Sequence, residues 1–372
     1  MKIIYISRAK LPSITANSIH IVKMAQAFSK KVDKVYLYAN FSKNDKNKIF
    51  DYYELQQNSF TLIDNGKLSG KKWISHFASL FTALKVKKLK PNFIISRDPT
   101  GACCAALLGM PTYFEIHSPI KDSGKLTKIF FEKMIHNKNF KKLILITQSL
   151  KDYYIQEYPT LKDKILVLPD GADEIDLNNT TKLNIKKEKT NIGYTGHLYT
   201  GKGIELIAKI IPLCKNCHFH IVGGREEELN YWKNKLKDEN VTFYGHQPHS
   251  MVQAYLNEFD IVLLPNQKEV KGNNGKDIGS WTSPLKLFEY MASRKAIICS
   301  DLPVLKEIVT NRHNALLCKY DDENVWKLAI EELVNNKQLK KNIEESAFKD
   351  FKENYTWKKR AEKIIKDFEG SI

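Results

Sequence analysis

No run of apolar residues along the 372 positions approaches the ~18 that a membrane-spanning helix requires. The opening MKIIYIS has a positive charge and a short apolar stretch, but Arg8 and Lys10 end it well before a signal-peptide core forms. It reads as a first buried strand, and a cytoplasmic location is expected. Cysteine is sparse. Cys103, Cys104, Cys214, Cys217, Cys299 and Cys318 are too few over this length for a disulfide framework, and most sit in apolar runs as small buried side chains. Acidic residues are short in the first half: residues 1–180 hold 28 Lys and Arg against 16 Asp and Glu, whereas the remainder holds 31 against 26. An excess concentrated in one half points to an anionic surface partner, nucleic acid or acidic lipid. Zinc, RNA-stacking and helix-turn-helix signatures are all missing, which argues against nucleic acid. No acidic pair is placed as a metal site needs, and no metal or other cofactor is expected.

What is present is a soluble composition, 42% hydrophobic and 27% charged, over a length that suits two domains. Short apolar runs alternate with helical stretches. In the first half the runs are Ile3–Ser7, Lys34–Tyr38, Phe93–Ser96, Pro111–Ile116, Leu143–Thr147 and Ile165–Leu168, with helices over Ser18–Phe28, Trp73–Lys88 and Leu126–His136. The second half repeats the scheme with Asn191–Thr195, Phe219–Val222, Val241–Tyr244, Asp260–Leu264 and Ala296–Cys299. This alternation predicts α/β domains with parallel sheets. Pro169-Asp170-Gly171 and the lysine-rich stretch to Thr190 form the linker. Domains are expected over 1–175 and 176–354, with a terminal helix over 355–372. Open α/β sheets bind ligands at the carboxyl ends of their strands, so those ends are where chemistry is sought.

The most informative segment is NIGYTGHLYTGKG, Asn191–Gly203. A strand ends, Gly196 follows, and Gly201-Lys202-Gly203 leads into a helix near Ile204. Glycines admit backbone N–H groups close to an anion, and Lys202 adds a full charge. The plainer alternative is a glycine turn with a solvated lysine. A P-loop is nearly spelled, but Gly203 stands where Ser or Thr must hold Mg²⁺. In TSPLKLFEYMASRKAIICSD, Ser283-Pro284 reads as an N-cap and first-turn proline of a helix with Leu285, Phe288 and Met291 on its apolar face. Glu289 on that helix has the two acceptor oxygens that a ribose diol needs; taken alone, it reads as an exposed helix glutamate. His117 sits at a strand end before Ser118-Pro119. Asn17 and Ser18 start a helix and are acceptor-side candidates, with helix capping as the alternative for Ser18. Cys214-Lys215-Asn216-Cys217-His218 matches a haem-attachment string, and its place between helix and strand favours a chance match.

Together with ANSIHIVKMAQAF, YFEIHSP, VLPDGAD, HIVGG, VTFYGH, FDIVLLPN and SPLKLFEYMASRKAIICSDLPVLKEIV, these segments resemble the family 4 glycosyltransferases of the GT-B class along nearly the whole chain. The resemblance implies two Rossmann-like domains facing across a cleft, with the last helix crossing back to the first domain. It implies that Gly196, His197 and Lys202 bind a donor diphosphate and that Glu289 holds the ribose. Ser283, Pro284 and Leu285 would then lie near the sugar phosphate, and His117 would face the transferred sugar. His117, Lys202 and Glu289 are thereby the expected catalytic set, acting with retention and without metal. Two departures stand out. The family commonly has arginine where this chain has His197, and a second glutamate where it has Trp281; Asp277 is a candidate substitute for that glutamate, with a solvated loop as the simpler reading. The implied activity is hexosyl transfer from a UDP- or GDP-linked sugar to a glycan or lipid-linked acceptor, in surface polysaccharide, capsule or lipopolysaccharide biosynthesis. The alternatives are a basic nucleic-acid-binding protein and a non-catalytic homologue.

Two basic stretches remain. Residues 71–90 carry six lysines and no acid, with Trp73, Phe77 and Phe81 at helical spacing; residues 121–142 carry seven lysines against two acids, with Phe130 and Phe131. Lysines beside aromatics suit peripheral contact with the anionic inner face of the cytoplasmic membrane. For a single such helix the simpler reading is that the aromatics face the core and the lysines are solvated.

Overall fold

The computed structural model describes residues 1–65, 72–178, 188–270 and 277–371. Lys71, the linker over 179–187 and the glycine-rich loop over 272–276 lie outside them, as do the side chains of Lys72 and Trp73. The chain forms two units, Met1–Asp170 with Trp357–Ile372, and Gly171–Thr356. The first handover falls at Asp170, five residues before the expected 175/176 boundary, and the second at Thr356 rather than 354. Local bonds explain both: Asp170 is tied to His20, whereas Ala172 pairs with Thr356 and donates its N–H to Tyr355.

The first unit is built on β1 (Lys2–Lys10), β2 (Lys34–Asn40), β3 (Thr61–Asp64), β4 (Phe93–Ser96), β5 (Thr112–Ile116), β6 (Phe140–Leu145) and β7 (Ile165–Val167). Their order is β3-β2-β1-β4-β5-β6-β7, parallel throughout. The second unit has β8 (Thr190–Thr195), β9 (Cys217–Val222), β10 (Val241–Gly245), β11 (Ile261–Leu264), β12 (Ala296–Ser300) and β13 (Leu316–Cys318), ordered β10-β9-β8-β11-β12-β13 and again parallel. Both are doubly wound Rossmann-like sheets. Chain order reverses between β1 and β4 in one and between β8 and β11 in the other, which marks the crevice where such sheets take ligands. Central strands covered by helices on both faces are apolar without alternation, as in the fully buried Ile3, Ile4 and Tyr5.

The helix after β1 spans Ala16–Ser29 and is capped by Thr15, whose side chain accepts from the Ser18 N–H. The last helix, Trp357–Glu369, belongs to the first unit and packs along it. Phe368 stacks near Phe93 at 4.7 Å, and Tyr113 donates to Asp367 at 2.7 Å. The expected return of the terminal helix is therefore found.

The Lys72–Lys88 helix overturns the simpler reading of its aromatics. Phe77, Leu80, Phe81 and Leu84 follow i, i+3, i+4, i+7 spacing, and all are exposed, Phe77 at 54% and Phe81 at 57%. The opposite stripe of Ser79, Thr82, Ala83 and Val86 is the buried one. Ser79 turns inward because its hydroxyl donates to Asp98 at 2.5 Å, beside the Arg8–Asp98 ion pair. Leu107 of the Pro99–Leu107 helix and Leu126 and Ile129 of the Lys125–Ile135 helix are exposed as well. No helix among the described residues is long and apolar enough to cross a membrane.

Candidate active site

The turn after β8 is held from several sides. Gly196 donates its N–H to Val222 at 2.8 Å. Buried Tyr194 sends its hydroxyl back under the loop to the carbonyls of His197 at 2.6 Å and Lys202 at 3.4 Å. Leu198 is buried, its N–H donating to Glu228 and its carbonyl accepting from Trp232. Gly203 caps the Ile204–Ile210 helix with φ 85°, and a Cβ there would lie 1.9 Å from the Pro265 carbonyl oxygen. Only glycine lets this turn close onto the chain leaving β11, across the sheet's switch point. The same loop is tied at its other end, where Gln267 donates its N–H to Gly201 at 3.0 Å.

Onto this turn comes the Leu285–Ala292 helix. Tyr290 accepts the Thr195 N–H at 2.9 Å, which fixes the helix against the end of β8. Pro284, not Ser283, occupies the N-cap position, and no side chain caps the first turn. Ser283 is buried, Pro284 and Leu285 are half-buried, and the apolar face runs through Leu287, Phe288 and Met291. Lys286 was not anticipated. Its ammonium sits 4.1 Å over the Tyr194 ring and feels both Lys202 and Glu289. Thus Lys202 and Glu289, 87 positions apart in sequence, act on one buried charge. Burial lowers Lys202 to about 8. His197 is also lowered by burial, with Lys202, Lys286 and Arg225 adding to the effect and Glu228 opposing it. At neutral pH His197 is therefore uncharged, and the family's arginine charge is absent from that position.

In the first unit, polar groups collect at the carboxyl ends of the strands. Glu115 of β5 is fully buried. It accepts from His117 Nε2 at 2.6 Å and from Arg360 Nη2 at 3.1 Å, and His20 Nε2 lies 2.9 Å away. Asp170 meets His20 Nδ1 at 2.8 Å. Burial opposes the charge on Glu115, but Arg360, His20 and the His117 hydrogen bond override it and hold the carboxyl well below its usual range. Burial, aided by the Arg97 charge, brings His117 down to about 4 against the pull of Asp170 and Glu115. The imidazole is neutral, with its proton on Nε2. His20, Glu115, His117 and Asp170 are close enough to suggest a metal site. Within the set, Glu115 is hydrogen-bonded directly to His117 and Asp170 to His20, and Arg360 lies against Glu115 as its counter-charge.

The sequence-predicted residues are distributed as follows. In the second unit Gly196 lies against Lys286, which is influenced by the charges of Lys202 and Glu289 and in turn influences His197, and His117 lies in the polar network of the first. Asn17 is exposed in the first turn of its helix. Ser18 is buried, its hydroxyl turned inward to the Lys10 carbonyl and Thr15, so it does not join Asn17 at the surface. Asp277 uses Oδ1 to accept from the Val270 and Gly279 N–H groups, pinning its loop. Cys214 and Cys217 are buried, and His218 is engaged by Thr242, which leaves no place for a haem. Lys286 and Arg360 escaped the sequence reading.

Residues 189–336 match the family model "Glycosyl transferases group 1". An uncharacterised glycosyltransferase of Methanocaldococcus jannaschii is 26% identical over 257 residues, covering 65% of this chain and 62% of the relative. A glycosyltransferase from Rickettsia africae superimposes with a TM-score of 0.78 at 14% identity, covering 99% of this chain and 98% of its own. HepE of Anabaena, solved with UDP and glucose, does so at 0.72 and 12% identity, covering 99% of each. With these similarities and two doubly wound sheets in place, the chain has the GT-B fold, and its residues 189–336 are similar to the glycosyl transferases of group 1.

Proposed function

We propose that the second unit binds a nucleoside diphosphate sugar, UDP- or GDP-linked, and that the sugar passes with retention to a glycan or lipid-linked acceptor. The carrying observation is that the glycine turn packs against the buried ammonium of Lys286, which the Glu289 helix carries. In this reading the turn's amides and Lys202 take the diphosphate, and the Glu289 carboxylate accepts from the ribose hydroxyls. Lysine charge stabilises the departing diphosphate, so no metal is required and transfer persists in EDTA. His117, neutral and fixed by Glu115, retains one acceptor nitrogen to orient a hydroxyl of the moving sugar. UDP or GDP at ~100 times its dissociation constant adds about 2.7 kcal/mol, or about 5–10 °C in Tm. Glu289→Ala should abolish that shift, and a response confined to oligonucleotides would overturn the reading.

The acceptor's setting is proposed from the first unit's surface. The exposed stripe of Phe77, Leu80, Phe81 and Leu84 lies among exposed Lys85, Lys87 and Lys88. Apolar side chains with lysines around them suit the boundary of an anionic bilayer. Peripheral attachment at the inner face of the cytoplasmic membrane agrees with a lipid-linked acceptor and with surface polysaccharide, capsule or lipopolysaccharide synthesis.

A further inference from the structure

One cation in the second unit has no hydrogen-bond acceptor among the described residues. Lys286 Nζ is buried and unpartnered in that sense, with only the face of the Tyr194 ring beneath it. A lysine normally reaches water with its head while its stem covers apolar surface. This one lies inside, in a protein with exposed lysines to spare.

Its position is specific. A Cβ built on Gly196 would come within 2.8 Å of Nζ and 3.1 Å of Cε. Gly196 has φ 135°, a backbone angle that favours glycine, and the ammonium of Lys286 fills the space beside it. The first residue of the turn thus lies directly against Lys286. The next residue, His197, contributes no charge at neutral pH. A diphosphate carries at least two negative charges, and Lys202 alone leaves that charge incompletely matched.

We propose that Lys286 is a second diphosphate-binding lysine, whose ammonium supplies beside Gly196 the charge that His197 does not. The inference rests on the nucleotide-sugar reading above and adds a residue to it. An incoming phosphate oxygen provides the missing acceptor, and the hydrogen bond it makes is charge-assisted on both sides. Burial and Lys202 both work against a proton on the empty site, whereas Glu289 favours one; a bound polyanion reverses that balance.

The alternative is a structural lysine that steadies Tyr194, and Lys286→Met separates the two. Methionine keeps the length and removes the charge. Isothermal titration with UDP and GDP, each compared with its own nucleoside, gives the readout, alongside the Tm of the empty protein. The proposal expects diphosphate affinity to fall about 10- to 100-fold, the worth of a hydrogen bond to a charged group. Nucleoside affinity should be unchanged, the empty protein's Tm should be equal or higher, and Lys286→Arg should retain most of the binding. Equal loss for nucleotide and nucleoside with a lowered Tm would overturn it in favour of the structural role. So would wild-type affinity for the diphosphate in Lys286→Met. If the wild-type protein binds neither UDP nor GDP, the donor reading itself fails and this inference fails with it.

Discussion

Replacing Arg360 with methionine probes the polar network that underlies His117. The guanidinium donates from Nη2 to Glu115 at 3.1 Å and to the Leu168 carbonyl at 3.2 Å, and from Nε to the Pro169 carbonyl at 3.0 Å. Arg360 is 2% exposed and Glu115 1%, so water cannot replace what is removed. Breaking a buried pair from one side costs about 3–5 kcal/mol, mainly from the charge left behind. The lost carbonyl bonds belong to the same cluster and are not added separately. For a unit of this size that is a fall of about 6–20 °C in Tm, read by differential scanning calorimetry. The pH dependence carries a definite sign. Glu115 has a depressed folded pKa, so its stabilisation is present above the unfolded value and is lost as pH falls through the folded one. Without Arg360 the carboxyl takes its proton at higher pH, and the deficit relative to wild type should narrow between pH 7 and 4. Arg360→Met with Glu115→Gln should recover part of the loss, since the stranded charge is then gone. A Tm within ~2 °C of wild type, which corresponds to under 1 kcal/mol, or a deficit insensitive to pH, would refute the reasoning.

Three further outcomes are expected. Lys202 is lowered to about 8, so its protonated fraction drops about tenfold from pH 7 to 9; UDP affinity should fall by up to that factor, whereas a flat titration would remove Lys202 from the phosphate site. His117 stands at about 4, so kcat should show no inflection near 6.5, and His117→Ala should lower kcat while leaving UDP affinity intact. On the membrane side, Phe77→Ser with Phe81→Ser should end co-flotation with anionic liposomes without lowering Tm, because both rings are already exposed. Flotation that persists in that variant, or that ignores acidic lipid, would exclude the stripe as the attachment face.

Much of the fold was legible because parallel strands buried on both faces are written as unbroken apolar runs. The two strands that escaped, β3 and β13, are edge strands of four and three residues, too short to show a period. The aromatics of the Lys72–Lys88 helix misled because helical spacing says that they share a face but not which face is inside. That was decided by Ser79, drawn inward by Asp98 from another element. Arg360 did leave a signal. It lies on the same stripe as Trp357, Ala361, Ile364, Ile365 and Phe368, the one charge on an otherwise buried face. Glu115, an acid inside the apolar strand TYFEI, was its complement. Each was readable alone; their pairing across 245 positions was not.

Lys286 is the harder case, and comparison with Arg360 shows what it means. In LKLFEY a lysine flanked by leucines reads as a solvated residue on an amphipathic helix. Its burial depends on a glycine 90 positions earlier leaving the space. Both cations end up inside, but Arg360 finds a carboxylate and two carbonyls, whereas among the described residues Lys286 finds an aromatic face and no acceptor. Folding alone gives no reason to keep a buried charge without an acceptor, since a methionine of the same length would be at least as stable there. In the Glu115 cluster the ionic groups meet one another, Glu115 with Arg360 and His117 and Asp170 with His20, and such a network is scaffold, with His117 at its margin. A charge left wanting at the mouth of a sheet is set aside for something that arrives from outside. On that ground the first unit's cluster positions a side chain, and the second unit's lysine awaits an anion.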